Sequence, residues 1–262
     1  MILDKILEKK RKKIEERKIA VSLEEMKNKA LKIADFNGEN RLKSCFKSND
    51  LSLIGEFKKA SPSKGIIAKY FHIEEIEKFY KSLKVNAYSV LTEEDFFYGS
   101  DENLRKLNNL TTIPIIKKDF IIDFYQIYEA KIFGACGILL IVSVLGEKLK
   151  EFYDECIKFN LEPLIEVHDK EELDIALKCG GEIIGINNRN LKDFTINLDT
   201  TKNLIKYIPK EKVVVSESGI NTIDDLKKVK GFGVDAVLIG EMFMRNINNL
   251  EFIRQLKAFR ND

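Results

Sequence analysis

The 262-residue sequence has only four cysteines, four prolines and 14 glycines. No two cysteines form a C-x-x-C pair, and so few cysteines in so long a chain exclude a small disulfide-rich scaffold. The sequence therefore predicts reduced thiols, as in cytosolic proteins. The sparse prolines and glycines mark no flexible linker between domains. We accordingly predict a single domain over residues 1–262, with an N-terminal helical extension at 1–50 and a main body at 51–262.

Charge of one sign and long apolar runs are also missing. Lys and Arg total 44 against 42 for Asp and Glu, a net charge of +2 that argues against nucleic-acid partners and membrane surfaces. Residues 1–10 carry charges where a signal peptide needs an apolar core. No uninterrupted apolar run approaches the roughly 20 residues that span a bilayer. We expect a soluble, cytoplasmic protein that binds neither nucleic acid nor a membrane.

Short apolar segments are present, and they alternate with longer amphipathic stretches. Eight strand candidates lie at 51–57, 87–91, 114–118, 137–142, 162–166, 183–187, 213–216 and 236–240. Helix candidates between them include 73–83, 124–133, 146–159, 170–178 and 222–229. Eight strands alternating with helices predict parallel βαβ units, which are enough to close an α/β barrel, the (β/α)8 TIM barrel.

An open, doubly wound sheet is the alternative architecture. Such a sheet usually places its phosphate-binding glycines just after the first strand. Here the glycines at strand ends come late in the chain, at Gly219 and Gly240. The sequence therefore favours the barrel, with an extra helical segment before the first strand.

That N-terminal segment has an apolar face and a basic face. Ile2, Ile6 and Ile14 fall near one side of a helix, and residues 9–13 form a solid basic run. The simpler interpretation, which we favour, is a solvated helix face. The alternative is a helix that caps the catalytic mouth and favours anionic substrates.

Polar residues cluster where the predicted strands end, which is where barrels carry their catalytic groups. Charged side chains at the ends of apolar strands are costly unless they are paired. They form either an ion-pair network that closes the barrel or an acid–base site. A lysine pressed among cations and apolar walls loses its proton more easily, which favours the acid–base site. The residues concerned are Glu56, Lys58, Lys118, Glu166, Asn187, Arg189, Glu217, Ser218 and Glu241.

The two late glycines predict a phosphate site. Gly219 and Gly240 let backbone N–H groups approach an anion, and barrels often bind phosphate with the loops after strands seven and eight. A helix N-terminus adds partial positive charge there. The alternative is that each glycine only serves a tight turn. Another glycine pair, Gly231 and Gly233, matches a dinucleotide fingerprint by letter but precedes a strand, so we discard it.

The two histidines, His72 and His168, have no metal-like spacing, and no zinc or serine-hydrolase motif appears. We interpret both histidines as structural and predict no metal site.

Taken in order, the strand-end motifs resemble those of the indole-3-glycerol-phosphate synthase family. The motifs are Ile-Gly-Glu-Phe-Lys-Lys-Ala-Ser-Pro-Ser-Lys-Gly at 54–65, Lys-Asp-Phe at 118–120, Leu-Ile-Glu-Val-His at 164–168 and Ser-Glu-Ser-Gly-Ile at 216–220. The opening Ile-Leu-Asp-Lys-Ile at 2–6 resembles the family's extra N-terminal helix. The resemblance spans almost the whole chain, and no second barrel follows, as in the monofunctional enzymes.

The resemblance implies a carboxy-lyase of tryptophan biosynthesis that needs neither a metal nor an organic cofactor. Its substrate would be 1-(2-carboxyphenylamino)-1-deoxyribulose 5-phosphate, and its products indole-3-glycerol phosphate, carbon dioxide and water. Lys118 would protonate the ribulose carbonyl oxygen. Lys58 and Glu166 would act as second acid and as base in the dehydration, and Glu56 would position the lysines.

The resemblance also implies the binding residues and the partners. Substrate-binding residues would be Ser61, Asn187, Arg189, Glu217 and Ser218, and phosphate-binding residues Gly219, Gly240 and the backbone of Glu241. We expect a monomer that binds a small phosphorylated substrate, with other enzymes of the tryptophan pathway as candidate partners.

Two other functions are compatible with a phosphate-binding barrel. A barrel of the phosphoribosylanthranilate isomerase kind would use a Cys or Asp acid–base pair, and no cysteine lies at a strand end with such a partner. A non-catalytic sensor could dispense with Lys118 and Glu166. Because both residues stand at strand ends, we favour the lyase.

Overall fold

Eight parallel strands form a closed barrel in the computed structural model, which describes residues 2–34, 41–46, 50–191 and 193–261. Each strand pairs with the next along the chain, and the last pairs with the first, Ser52 lying opposite Ala236. This confirms the predicted (β/α)8 barrel. The strands are β1 (Ser52–Phe57), β2 (Ala87–Leu91), β3 (Ile115–Lys118), β4 (Gly137–Ile141), β5 (Glu162–Val167), β6 (Ile183–Asn187), β7 (Val213–Glu217) and β8 (Ala236–Ile239).

Helices surround the barrel and precede it. Three come before β1, namely α1 (Ile2–Ala20), α2 (Leu23–Leu31) and α3 (Arg41–Phe46). The others are α4 (Ile73–Ser82), α5 (Asp101–Leu110), α6 (Phe124–Phe133), α7 (Val142–Leu145), α8 (Leu149–Lys158), α9 (Lys170–Cys179), α10 (Asp199–Leu204), α11 (Ile223–Lys230), α12 (Glu241–Arg245) and α13 (Leu250–Asn261). Within the described ranges, no helix combines the length and apolarity needed to cross a membrane.

Most element boundaries agree with the sequence patterns, with one division that was not predicted. The predicted strand 137–142 ends at Ile141, because Val142 begins the short helix α7. The predicted helix 146–159 is split into a 3-10 turn, Gly146–Lys148, and α8. Gly146, with a positive φ of 52° that glycine adopts without strain, ends α7 and separates it from this turn.

Capping residues define where the surrounding helices begin and end. Asp123 before α6 and Thr222 before α11 each form a capping box with the residue three positions later. Gly134 ends α6 with a left-handed φ of 90°. These capping residues fix the two ends of α6 and the start of α11. The chain can then enter the next parallel strand from the same end of the barrel each time.

The N-terminal end of the barrel is closed by α3. Leu42 and Phe46 are buried against the apolar interior of the barrel. The backbone N–H of Leu42 donates to the carboxylate of Glu162, the first residue of β5. This helix fills the lower end, and the cavity described below occupies the opposite, C-terminal end.

Helix α1 lies across that C-terminal end, and the favoured interpretation of its basic run holds only in part: Lys9, Arg11 and Lys12 are exposed, whereas Lys10 and Lys13 are held by carboxylates. Lys10 is buried and its Nζ lies 2.7 Å from Asp119 Oδ1. Lys13 pairs with Glu94 and Asp95 of the loop after β2, at 2.7 and 2.9 Å. The acidic partners of these lysines follow β2 and β3, so the ion pairs attach α1 to the barrel. The alternative, a helix that caps the mouth, describes α1 better.

We expect Lys10→Met to lower the free energy of unfolding by about 3 to 5 kcal/mol, because it leaves the buried Asp119 carboxylate without its ammonium partner. Burial raises the pKa of Asp119, but Lys10 and Lys117 outweigh it and hold that pKa below its usual value. The stabilisation is therefore present above the ordinary carboxyl pKa of ~3.9 and is lost as the pH falls. Urea unfolding at neutral and acidic pH measures it, and the deficit should shrink in acid.

The matched control is Lys9→Met, at a neighbouring lysine that is 58% exposed and lies 3.7 Å from Asp95. We expect a loss of less than about 1 kcal/mol there. Equal losses in the two variants would contradict a specific contribution from the buried Lys10–Asp119 pair.

Candidate functional site

A cavity opens at the C-terminal end of the barrel. All the site residues predicted from the sequence lie in its lining: Glu56, Lys58, Ser61, Lys118, Glu166, Asn187, Arg189, Glu217, Ser218, Gly219, Gly240 and Glu241. The structure thus brings together residues from β1, β3, β5, β6 and β7 and from the segments that follow β1, β6, β7 and β8.

Lys118, the last residue of β3, lies between two glutamates. Its Nζ is 3.3 Å from Glu217 Oε2 and 3.5 Å from Glu166 Oε2. Burial lowers the pKa of Lys118, but the carboxylates around it outweigh burial and raise that pKa above its ordinary value. The expectation that this lysine loses its proton easily was wrong, because its neighbours are anions and not cations. It is an ammonium group that can donate a hydrogen bond or a proton.

The two glutamates beside Lys118 are in different environments. Burial raises the pKa of Glu166, but Lys118 and His168 outweigh it and bring that pKa to about 2. Burial, together with the charge of Glu166, raises the pKa of Glu217 to about 7 despite Lys118. Apart from the ion pair with Lys118, neither carboxylate oxygen of Glu217 has a polar partner among the residues that the structure describes. Near neutral pH, Glu166 is ionised and Glu217 readily takes a proton.

Two glycines leave space for carboxylates of the site, those of Glu217 and Glu56. A Cβ at Gly185, on β6, would lie 2.1 Å from Glu217 Oε1. A Cβ at Gly240, after β8, would lie 2.3 Å from Glu56 Oε2. Gly240 was predicted for its backbone alone, and its packing against Glu56 is a second reason for glycine at this position.

The end of β1 contributes the second lysine. Lys58 Nζ lies 3.3 Å from Glu56 Oε2 and 5.8 Å from the centre of the Phe97 ring. Since alternate residues of an extended chain point the same way, Glu56 in β1 and Lys58 just after it lie on the same side of the chain. The Glu56 carboxylate therefore holds the Lys58 ammonium group at the wall of the cavity.

The side of the cavity formed by the loops after β6 to β8 carries the groups expected to bind an anion. Gly219 has a φ of 84°, and a Cβ there would lie 2.6 Å from Ile196 Cγ2, so this position requires glycine. Arg189 lies in the loop after β6, where its Nη1 donates to the carbonyl oxygen of Phe194 at 3.4 Å. The Glu241 side chain accepts from Arg245 Nε at 2.9 Å. The backbone N–H of Glu241, the group expected to bind phosphate, belongs to the first residue of α12.

Two further groups sit on the site although sequence reasoning did not assign them to it. His168 Nε2 lies 3.3 Å from Glu166 Oε1. The sequence-based interpretation of His168 as a structural residue did not foresee this contact with the site. The signal was available, because Glu166 and His168 are two residues apart at the end of a strand and point the same way. The other group is an apolar wall of the cavity, which no sequence signal beyond general hydrophobicity could predict. The wall consists of Phe97, Phe120, Leu139, Ile141 and Leu191, with Ile2, Leu3 and Ile6 of α1.

Solved structures with the same architecture include an N-acetylmannosamine-6-phosphate 2-epimerase from Clostridium perfringens, with a TM-score of 0.62 and 14% identity, covering 81% of this chain and 94% of that one. Another is a thiamine phosphate pyrophosphorylase from Pyrococcus furiosus, with a TM-score of 0.57 and 19% identity, covering 84% and 98%. At such identities the similarity shows the barrel fold alone.

Sequence comparisons are more specific. The family model described as indole-3-glycerol phosphate synthase matches residues 3–256. The indole-3-glycerol phosphate synthase of Thermoanaerobacter pseudethanolicus is 47% identical over 262 residues, covering 98% of this chain and 99% of that protein. The one from Clostridium kluyveri is 46% identical over 255 residues, covering 97% of each. The chain belongs to the indole-3-glycerol phosphate synthase family, the decarboxylating lyases of tryptophan biosynthesis.

Proposed function

We propose that this chain converts 1-(2-carboxyphenylamino)-1-deoxy-D-ribulose 5-phosphate to indole-3-glycerol phosphate, carbon dioxide and water, with Lys118 as general acid and Glu166 as general base. Family membership supports the overall reaction. The observation that carries the residue assignment is the contact of the Lys118 ammonium with Glu166 and Glu217 inside one cavity.

In the first step, the ring carbon that bears the carboxylate attacks the ribulose carbonyl carbon, and the aniline nitrogen supplies the electron push. The carbonyl oxygen gains negative charge as the new carbon–carbon bond forms. Lys118 carries the positive charge that stabilises this oxygen and the proton that neutralises it. Its raised pKa keeps the lysine charged before the step begins. Loss of carbon dioxide then returns the bonding electron pair to the ring.

In the second step, the intermediate loses a hydroxyl group and a proton. We assign Lys58 to protonation of the leaving hydroxyl, because Glu56 holds its ammonium group 3.3 Å away at the cavity wall. Glu166 accepts the proton, because its lowered pKa leaves it ionised at neutral pH. The two acids and the base thus come from three separate strands, and each can act on a different atom of the substrate.

Binding divides between a polar end and an apolar wall. Backbone N–H groups of Gly219, Gly240 and Glu241 would hold the phosphate, with Ser61 and Lys58 close to an anionic group. Asn187, Arg189 and Ser218 would orient the anthranilate moiety and nearby hydroxyls, and Glu217 completes the pocket beside Lys118. The apolar wall suits the flat aromatic ring. Because one chain supplies every residue of this site, we propose a monomer as the acting unit, and the cytoplasm as its location.

The reaction can be tested directly with purified protein and the carboxyphenylamino-deoxyribulose phosphate. We expect an indole-fluorescent product whose rate of formation is unchanged by a chelator such as EDTA, because the acid–base groups are side chains. Phosphoribosylanthranilate, the substrate of the isomerase alternative, should not be consumed. Failure to form the indole product, or its loss with EDTA, would overturn the proposal.

A further inference from the structure

His168 bridges two glutamates at the rim of the site. Its Nε2 lies 3.3 Å from Glu166 Oε1, and its Nδ1 lies 2.9 Å from Glu172 Oε2. The same Glu172 oxygen accepts the backbone N–H of His168 at 2.9 Å, so the ring is held in place from α9. The His168 side chain is 13% exposed.

We propose that His168, held by Glu172, is a positioning residue that keeps the negative charge on Glu166 and thereby directs the exchangeable proton of the Glu166–Glu217 pair to Glu217. The proposal rests on the role of Glu166 as base, and it adds a residue that acts through Glu166 without touching the reacting atoms.

The two contacts favour a charged ring, with Nδ1 hydrogen-bonded to Glu172 and Nε2 at ion-pair distance from Glu166 without the alignment of a hydrogen bond. A neutral imidazole has one N–H and one bare nitrogen, so one of the two carboxylates would face a lone pair. Only the imidazolium form donates from both nitrogens, and here both nitrogens face carboxylate oxygens. Burial lowers the pKa of His168, but Glu166 and Glu172 outweigh it and raise that pKa to about 10, which agrees with the geometry.

The positive charge of His168 is what distinguishes the two glutamates. Lys118 lies at nearly the same distance from both, 3.5 Å from Glu166 and 3.3 Å from Glu217, so it cannot select between them. Of the other groups that act on the pair, Glu56 is an anion that raises the pKa of Glu217. Asn187 carries no charge, but its side chain also hydrogen-bonds Glu166 and lowers the pKa of Glu166, to a smaller extent than Lys118 and His168 do. Because the imidazolium contacts Glu166 and not Glu217, Glu166 is the carboxylate of this pair that stays ionised.

This assignment has a consequence for the reaction. When Lys118 gives up its proton, the cation shared by the two carboxylates is lost, and their mutual repulsion grows. With His168 in place, Glu166 keeps its own counter-ion and Glu217 is the carboxylate that relieves the repulsion by protonation. Glu166 therefore remains available as the base for the second step.

The charge on His168 can be observed without any turnover. The sequence has two histidines, so His72→Gln leaves His168 as the sole histidine. His72 is exposed and lies outside the cavity. In nitrogen-15 NMR spectra of this variant we expect both ring nitrogens to be protonated at pH 8. Glu172→Gln in the same background should lower the pH at which the ring titrates. A neutral ring at pH 8 would overturn the proposal.

Kinetics test the effect on Glu166. Without the imidazolium, the pKa of Glu166 rises, so the base is lost at a higher pH. We expect the acidic limb of the kcat profile to move up by about one pH unit in His168→Gln. A shift in the same direction is expected in Glu172→Gln, which retains an oxygen for the backbone N–H. His72→Gln should have the profile of the unaltered protein. An unmoved limb in both test variants counts against the proposal.

The two experiments separate this proposal from the function itself. An active enzyme whose His168 is neutral would reject the role of His168 and leave the ring-closing reaction standing. A doubly protonated His168 in a protein that forms no indole product would reject the assigned reaction, and with it the role of Glu166 as base.

Discussion

Replacing Lys118 with methionine should lower kcat by about 10² or more, the scale on which a positioned general acid contributes. Methionine has nearly the length of lysine but can neither donate a proton nor stabilise the carbonyl oxygen as it becomes negative. KM should change only a few-fold, because the groups expected to bind phosphate lie on the loops after β6 to β8. Initial rates of indole fluorescence at saturating substrate give the measurement.

A matched control is Lys59→Met, one residue beyond Lys58 and outside the lining of the cavity. We expect its kcat to equal that of the unaltered chain. Both variants should be compared by circular dichroism, because removing the Lys118 charge leaves Glu166 and Glu217 without their shared counter-ion. A folded Lys118→Met protein that turns over at the normal rate would remove Lys118 from its assigned role.

The second large effect is expected at Glu166→Gln, which should lower kcat by about 10² to 10⁴. The amide keeps the shape of the side chain but cannot accept a proton as a base. Its effect should be seen at every pH, since no pH restores a carboxylate at this position. Single-turnover measurements would show whether the intermediate accumulates before dehydration, as expected when only the second step loses its base.

Glu217→Gln is the matched control for that variant. It makes the same change in the other carboxylate that contacts Lys118, and the contact distances differ by only 0.2 Å (3.5 against 3.3 Å). Because Glu217 readily takes a proton near neutral pH, its amide resembles a state that the side chain already populates. We expect a smaller loss of kcat at pH 7 than in Glu166→Gln. A larger loss at Glu217 would exchange the roles of the two glutamates.

The barrel could be predicted from the sequence because its signals are local. Strands β2 and β6 have the predicted bounds, since each is a short, mostly apolar run; Thr92 follows the first, and Asn187 ends the second. The membership of the site could also be predicted, because the C-terminal ends of all eight strands meet on one face. Residues at the ends of different strands can therefore be predicted to lie near one another in the folded chain.

Charge environments could not be predicted in the same way. The sequence places Lys118 beside Lys117, which suggested cationic surroundings. In the folded chain these two side chains point in opposite directions, Lys117 towards Asp101 of α5 and Lys118 towards Glu217 across the barrel mouth. Likewise, the burial of Lys10 depends on Asp119, which is more than a hundred residues away in the chain. Such pairings depend on tertiary register, which no local pattern encodes.

The packing of Gly240 against Glu56 places part of the site on the seam where the barrel closes, since the two residues belong to the last and the first strand regions. A folding intermediate that has seven strands in place offers Glu56 no such neighbour, and the Glu56–Lys58 pair is then open to water along one side. Recovery of catalysis during refolding should therefore coincide with the docking of β8, however early the other strands form. Measuring the recovery of activity during refolding would thus measure closure of the eight-stranded barrel.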